Sequence, residues 1–171
     1  MTAVITKSNI ESGAHNNILA YIDNRTYIKD PKYSSLTTKQ RDFVYDFDPI
    51  LKSVTFGDFP YIVLRLPTVE YTTTKNSTNG KVKTVSWRQD LIVRTARYGS
   101  GNTFLNSDML DICDDLQQMF NNETVKSALR LLNIYDINLT KTDFDAISVQ
   151  EKSVLESVYE LTYSTRLTVS D

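Results

Sequence analysis

The sequence predicts one α+β domain, in which an N-terminal helix and a central helix pair pack on one face of a mainly antiparallel sheet of two hairpins. Three observations predict this fold. Segments in which apolar and polar residues alternate occur as two pairs, at 61–98 and 134–169, and such pairs are typical of hairpins. Helical periodicity precedes the first pair and separates it from the second. The 171 residues suffice for one core, so we expect a single domain over residues 1–171.

The first element is a helix predicted at residues 8–24. Ile10, Ala14, Ile18 and Tyr21 recur at steps of three and four residues and form one apolar stripe. His15 lies on the same segment without a local partner. We expect it to be a solvated or capping residue.

A long irregular connection is predicted at residues 25–59. It contains Pro31 and Pro49 and several aromatic residues among polar ones. A connection of this length is uncommon inside a compact domain and often has a function.

The first hairpin is predicted from a strand at 61–74 and a return strand at 81–98. Pro67 interrupts the first strand and predicts a bulge or an edge position. Asn79 and Gly80 predict the turn, because both tolerate positive φ. Residues 72–83 are almost purely polar, so this tip is expected to project beyond the core.

The central helix pair is predicted at 107–121 and 124–132. In the first of these helices, Met109, Ile112, Leu116 and Met119 recur at helical spacing. This stripe predicts the face that the pair buries against the sheet.

Two final strands are predicted at 134–142 and 149–169. The second alternates most regularly, but it is far longer than the ~5–6 residues of an average strand. We expect it either to bend near Ser157 or to reach beyond its own domain into a neighbour.

Composition excludes several classes of function. The net charge is −2 and there is no block of Lys or Arg, which argues against strong sequence-independent DNA binding. No stretch of 18 apolar residues is present, so no membrane-spanning segment is expected. The first twenty residues lack a signal-peptide pattern, so we expect a cytoplasmic protein.

Histidine and cysteine, which supply many catalytic and metal-binding groups, are almost absent from the sequence. His15 is the only histidine and Cys113 the only cysteine, which leaves no nucleophile–base pair, no zinc ligand set and no disulfide. We therefore expect a protein without catalytic residues, metal or cofactor.

Four aspartates lie on the polar side of the first central helix. They form either a solvated acidic face or the lining of a channel that repels DNA phosphates so that DNA slides without sticking. A Mg²⁺ or Ca²⁺ site is the less favoured interpretation. The candidate lumen-facing residues are Asp108, Asp111, Asp114 and Asp115.

Three features remain that a self-contained globule does not need. They are the polar projecting hairpin, the aromatic-rich connection and the overlong last strand, and subunits use such features to grip their neighbours. The candidate interface residues are Tyr33, Phe43, Tyr45, Phe47, Tyr71, Lys75, Asn79, Lys81, Tyr98 and Arg166. Closed homo-oligomeric rings are a common outcome of such contacts.

The order of these elements resembles the tail-terminator (tail-completion) proteins of long-tailed bacteriophages over most of residues 8–169. The resemblance lies in order and spacing: an N-terminal helix, Phe59-Pro60-Tyr61 opening a strand, the return strand 86–93 (SWRQDLIV), the helix 110–120 (LDICDDLQQMF) and the closing strand 158–163 (VYELTY).

The resemblance implies a hexameric ring that caps the tail tube, binds the tube protein below and the head-completion or connector protein above, and lets DNA pass through its lumen without specific binding. It implies a place in the virion tail or neck, after assembly in the host cytoplasm, and no catalytic residues. Because residues 25–59 and 72–83 exceed the small members of that family, another neck, connector or tube protein stays open. A non-viral α+β binding module also stays open.

Overall fold

The computed structural model describes residues 7–23, 44–45, 61–78, 80–96, 106–149 and 152–169. The helices are α1 (Lys7–Asp23), α2 (Asn106–Asn121) and α3 (Glu123–Leu131). The strands are β1 (Val44–Tyr45), β2 (Tyr61–Leu64), β3 (Thr68–Ser77), β4 (Gly80–Ala96), β5 (Tyr135–Val149) and β6 (Lys152–Val169).

The described strands form one sheet in the order β1-β2-β4-β6-β5. β3 follows β2 along the same side of β4, and β6 lies on the other side. Every pair is antiparallel except the two-residue pair of β1 with β2. The predicted α+β class, with a mainly antiparallel sheet, is confirmed.

All three helices pack on one face of the sheet, which we call the helix face. In β4 and β6 the odd-numbered residues point to it, among them Trp87, Leu91 and Tyr159. Ile18 of α1 and Leu116 of α2 are fully buried in the same cluster. The even-numbered residues of β4 and β6 point to the opposite side, which we call the far face.

Pro67 divides the predicted strand 61–74 into β2 and β3. Proline cannot donate to a sheet, so the ladder stops here and resumes at Thr68. The Arg65 amide still donates to the Asp90 carbonyl at 2.9 Å, which keeps both halves beside β4. Gly80 ends the turn with φ 116°, a conformation that favours glycine.

Polar residues mark the ends of α3. The Asn122 side chain accepts hydrogen bonds from the amides of Thr124 and Val125, which satisfies two of the donors that a helix start leaves free. After the helix, Asn133 has φ 63°, the left-handed conformation that asparagine tolerates. The chain then enters β5.

β6 is an unbroken strand from Lys152 to Val169. β4 pairs with it along nearly its whole length, and β5 pairs with its other side up to Ser164. No break interrupts the strand at Ser157, and the chain's own strands account for most of its length, while the expected reach into a neighbour stays a prediction. β5 is longer than predicted and runs to Val149. Among the described residues, no helix has both the length and the apolarity needed to cross a bilayer.

Candidate subunit interface

The hairpin tip extends the sheet past the helix layer. The side chains of residues 72–76 on β3 are all exposed, as are Lys81 and Lys83 on β4. β6 accompanies the tip, because Lys81 pairs with Val169. At this end the sheet thus has three strands, and the described side chains of β3 are exposed on both of its faces.

A shallow groove of about 440 Å³ lies on the far face, between the tip and the start of β5. Hydroxyl and charged side chains make up most of its lining: Glu70, Thr73, Lys75, Thr84, Ser86, Asp136, Thr162 and Ser164. Tyr71 adds an aromatic ring that is 60% exposed. Ligand pockets usually enclose most of a bound ligand, so this groove has the character of an open surface.

Two long strand edges are open within the described part of the chain. No described strand lies beside the outer edge of β3 or the outer edge of β5. Side chains 70–76 of β3 and 140–146 of β5 are exposed. Phe144 is 47% exposed and lies under the Lys141 ammonium, 4.8 Å from the ring centre. Open edges carry unpaired amide and carbonyl groups that can template pairing with another chain.

Exposed charges on the far face are paired across strands. Arg88 lies 3.6 Å from Glu160 on β6 and 3.9 Å from Glu70 on β3. Arg65 contacts Asp90 at 3.2 Å. Each exposed pair contributes at most about 1 kcal/mol, so they fix alignment more than they add stability.

A more buried ion pair ties the other end of the far face together. Arg94 is 4% exposed, and its Nε donates to a Glu156 carboxylate oxygen at 2.6 Å. Its Nη1 also donates to the Tyr61 hydroxyl at 3.3 Å. Asp145 stands opposite Glu156 on β5. One arginine therefore links β2, β4 and β6 and neutralises the Glu156 carboxylate.

Asn133 and Arg166 join the start of β5 to β6. The Asn133 side chain donates to the Arg166 carbonyl at 2.8 Å and accepts from the Arg166 amide at 3.2 Å. The Arg166 guanidinium lies 4.2 Å from the centre of the Tyr135 ring. These contacts fix the point at which β5 begins, and beyond it the tip consists of β3, β4 and β6.

The acidic helix face lies on the side of α2 away from its buried stripe. Asp111 and Asp114 are exposed, and Asp115 is half-buried. Asp108 is in the helix, but its side chain lies outside the described set. Among the described residues, no group of three or more His, Cys, Asp or Glu side chains is placed to hold a metal ion.

The single histidine and the single cysteine of the chain are both buried in the core. His15 is 2% exposed, with its Nδ1 3.5 Å from Oε1 of Gln89, so the expectation of a solvated or capping histidine is wrong. The predicted apolar stripe of this helix left out His15, which faces β4 beside Ala14. Burial raises the pKa of the Cys113 thiol and also that of Tyr159 beside it, so both stay protonated near neutral pH.

The structure brings some of the predicted interface residues together. Tyr71 and Lys75 lie on β3, and both line the far-face groove. Arg166 is exposed and level with Thr73, while Lys81 is exposed on β4 near the turn. Tyr45 forms part of β1, and nothing is described of its side chain. The other candidates lie outside the described residues: Tyr33, Phe43, Phe47, Asn79 and Tyr98.

Sequence reasoning missed the second half of the β5 edge. A bulge between Lys141 and Asp143 shifts the register and breaks the alternation that predicted the strand. Beyond the bulge, Phe144 and Ala146 again alternate onto the helix face. This renewed alternation is the sequence signal from which the second half of the strand could have been predicted.

No protein-family model matches the chain, and neither does any curated protein sequence. The function must therefore be argued from the geometry and from the resemblance in element order.

Proposed function

We propose that this protein is a non-enzymatic, ring-forming structural subunit, and specifically the tail terminator of a long-tailed bacteriophage. In this role it caps the tail tube, joins it to the head-completion or connector protein, and lets DNA pass through its lumen. It acts in the tail or neck of the virion after assembly in the host cytoplasm. The order of elements supports the family, and the openness of the far-face groove favours a contact surface over a small-molecule site.

The observation that carries the proposal is a pair of edges on opposite sides of one sheet, each without a neighbouring strand among the residues that the structure describes. β3 offers ten residues and β5 fifteen. A self-contained protein usually blunts such edges with proline, short strands or a covering element. Edges on opposite sides of a subunit generate head-to-tail contacts, which close into rings when the rotation between copies allows it.

Electron microscopy of the protein mixed with purified tails that lack their terminator tests the proposal. We expect rings at one end of each tail, and a solution mass that stays low without tails. Spontaneous long tubes from the protein alone would indicate a tube protein instead. A chain that stays monomeric at all concentrations and leaves tail ends bare contradicts the proposal.

A further inference from the structure

We infer that the outer edge of β5 in one copy pairs with the outer edge of β3 in the next copy, displaced by about four to six residues along the strands. This inference rests on the self-assembly in the proposed function and names the junction. The partner is a second copy of this chain.

Strand direction allows this junction to be antiparallel. β3 is antiparallel to β4, β4 to β6 and β6 to β5, so β3 and β5 run in opposite directions. A copy placed beside the first in the same orientation therefore presents its β3 antiparallel to the neighbouring β5. The sheet continues across the junction without a change in hydrogen-bond pattern.

The two edges stand at different heights on the sheet. Through β4, Thr68 is level with Thr162, and the rest of β3 extends from there toward the tip. Tyr135 is level with Ser164, and the rest of β5 extends the opposite way. Copies at equal height would overlap only at the level of residues 162–164 of β6, so pairing requires a displacement.

The tilt of strands in a closed sheet produces a displacement large enough for this pairing. Strands in closed sheets tilt by about 35–45° to the axis. Four strands at about 4.8 Å span about 19 Å, so this tilt shifts the next copy by about 13–19 Å, or about four to six residues. A shift of six places Thr68 opposite Asp145 and lays all of β3 along β5. Even shifts also keep the far face of both copies on one side.

Charge matches this displacement. Lys75 lies on the far face of β3, level with Thr168. A shift of four places it opposite Tyr135, next in the chain to Asp136, and a shift of six places it opposite Asn138, one diagonal position from Asp136. The Asp136 carboxylate accepts from the Ser164 hydroxyl at 3.2 Å and so also lies on the far face. Opposite charges at such positions stabilise a strand pair.

Cysteine cross-linking tests the junction. Thr73→Cys is combined with Asn138→Cys or with Thr140→Cys, which face it at shifts of four and six. Disulfides need Cα atoms about 4.4–6.8 Å apart, so oxidation of at least one double variant assembled on purified tails yields a ladder of covalent multimers. The control pair is Thr73→Cys with Thr162→Cys, whose second cysteine lies on an inner strand. Single variants and the native chain, with Cys113 buried, give monomers.

Two results overturn the inference. One is efficient dimer formation by a single edge variant, because this indicates an edge pairing with itself. The other is the absence of a ladder from both double variants while micrographs show rings on the tails; the ring proposal then survives and the junction is wrong. If no oligomer forms with or without tails, both fail.

A charge reversal provides a second readout. Lys75→Glu weakens association and reverses its dependence on salt, so that added salt now strengthens association, because the attraction to Asp136 becomes a repulsion that salt screens. Lys83→Glu is the matched control, since Lys83 is also exposed at the tip but lies on the inner strand β4. Equal weakening by both variants contradicts the edge junction.

Discussion

Removing the charge of Glu156 provides a sharp test of how the sheet is held together. Glu156→Gln keeps the shape of the side chain and leaves the Arg94 guanidinium, 4% exposed, without its carboxylate at 2.6 Å. Breaking a buried ion pair by changing one partner costs about 3–5 kcal/mol. Because Tyr61 still accepts from Arg94, we expect the lower end, about 3 kcal/mol.

Urea unfolding measures this loss. With a slope of about 2 kcal/mol per molar, the midpoint falls by about 1.5 M. The melting temperature falls by about 6–12 °C, at about 2–4 °C per kcal/mol for a chain of this size. Glu160→Gln is the matched control on the same strand, since its partner Arg88 is about half exposed, and it should cost less than about 1 kcal/mol. Equal losses for the two variants refute the reasoning.

Three further stability predictions follow from single positions. Gly80→Ala destabilises the fold by about 1–3 kcal/mol, because alanine is strained at a φ of 116°. Gly13→Ala stabilises α1 by about 0.5–1 kcal/mol, because no atom lies within 4 Å of the added carbon. The two variants should therefore shift the melting temperature in opposite directions. Asn122→Ala costs about 0.5–2 kcal/mol through the lost cap in urea unfolding, and Asn121→Ala, one residue earlier and exposed, costs less. Because the pKa of Tyr159 is raised in the folded chain, the free energy of unfolding falls as pH rises above the ordinary tyrosine value of 10.0; Tyr159→Phe flattens this fall, and an unchanged alkaline limb contradicts it.

The fold followed from local patterns wherever one face of an element is buried. The stripe of α2 and the alternation of β6 both matched their buried faces, with Leu116 and Tyr159 in the core. Pro67 was correctly expected to interrupt a strand, since its missing amide acts locally. These features need only the periods of a helix and a strand.

Other features depended on tertiary pairing that no local pattern contains. The length of β6 is explained by β4 and β5 flanking it, which only the sheet order reveals. The bulge after Lys141 hid the end of β5 from a search for alternation. His15 is a polar residue whose burial depends on Gln89, 74 positions away.

Only part of the candidate interface could be predicted, because a strand edge, like the length of β6, depends on the order of the strands in the sheet. Tyr71 and Lys75 were found because an exposed polar tip is visible in the sequence. Asp136 and its neighbours on the β5 edge were missed, because an edge exists only once the order of strands is known. Whether a polar strand is an edge or an inner strand is decided by its partners.

Hydrogen–deuterium exchange on the free and the assembled protein tests the central claim most directly. Assembly on tails or in a ring should slow exchange in peptides covering β3 and β5, whose outward amides then gain partners. It should leave β4 and residues 154–164 of β6 unchanged, because these already lie between two strands. If assemblies form while β3 and β5 exchange at the free rate, the open edges do not join the copies.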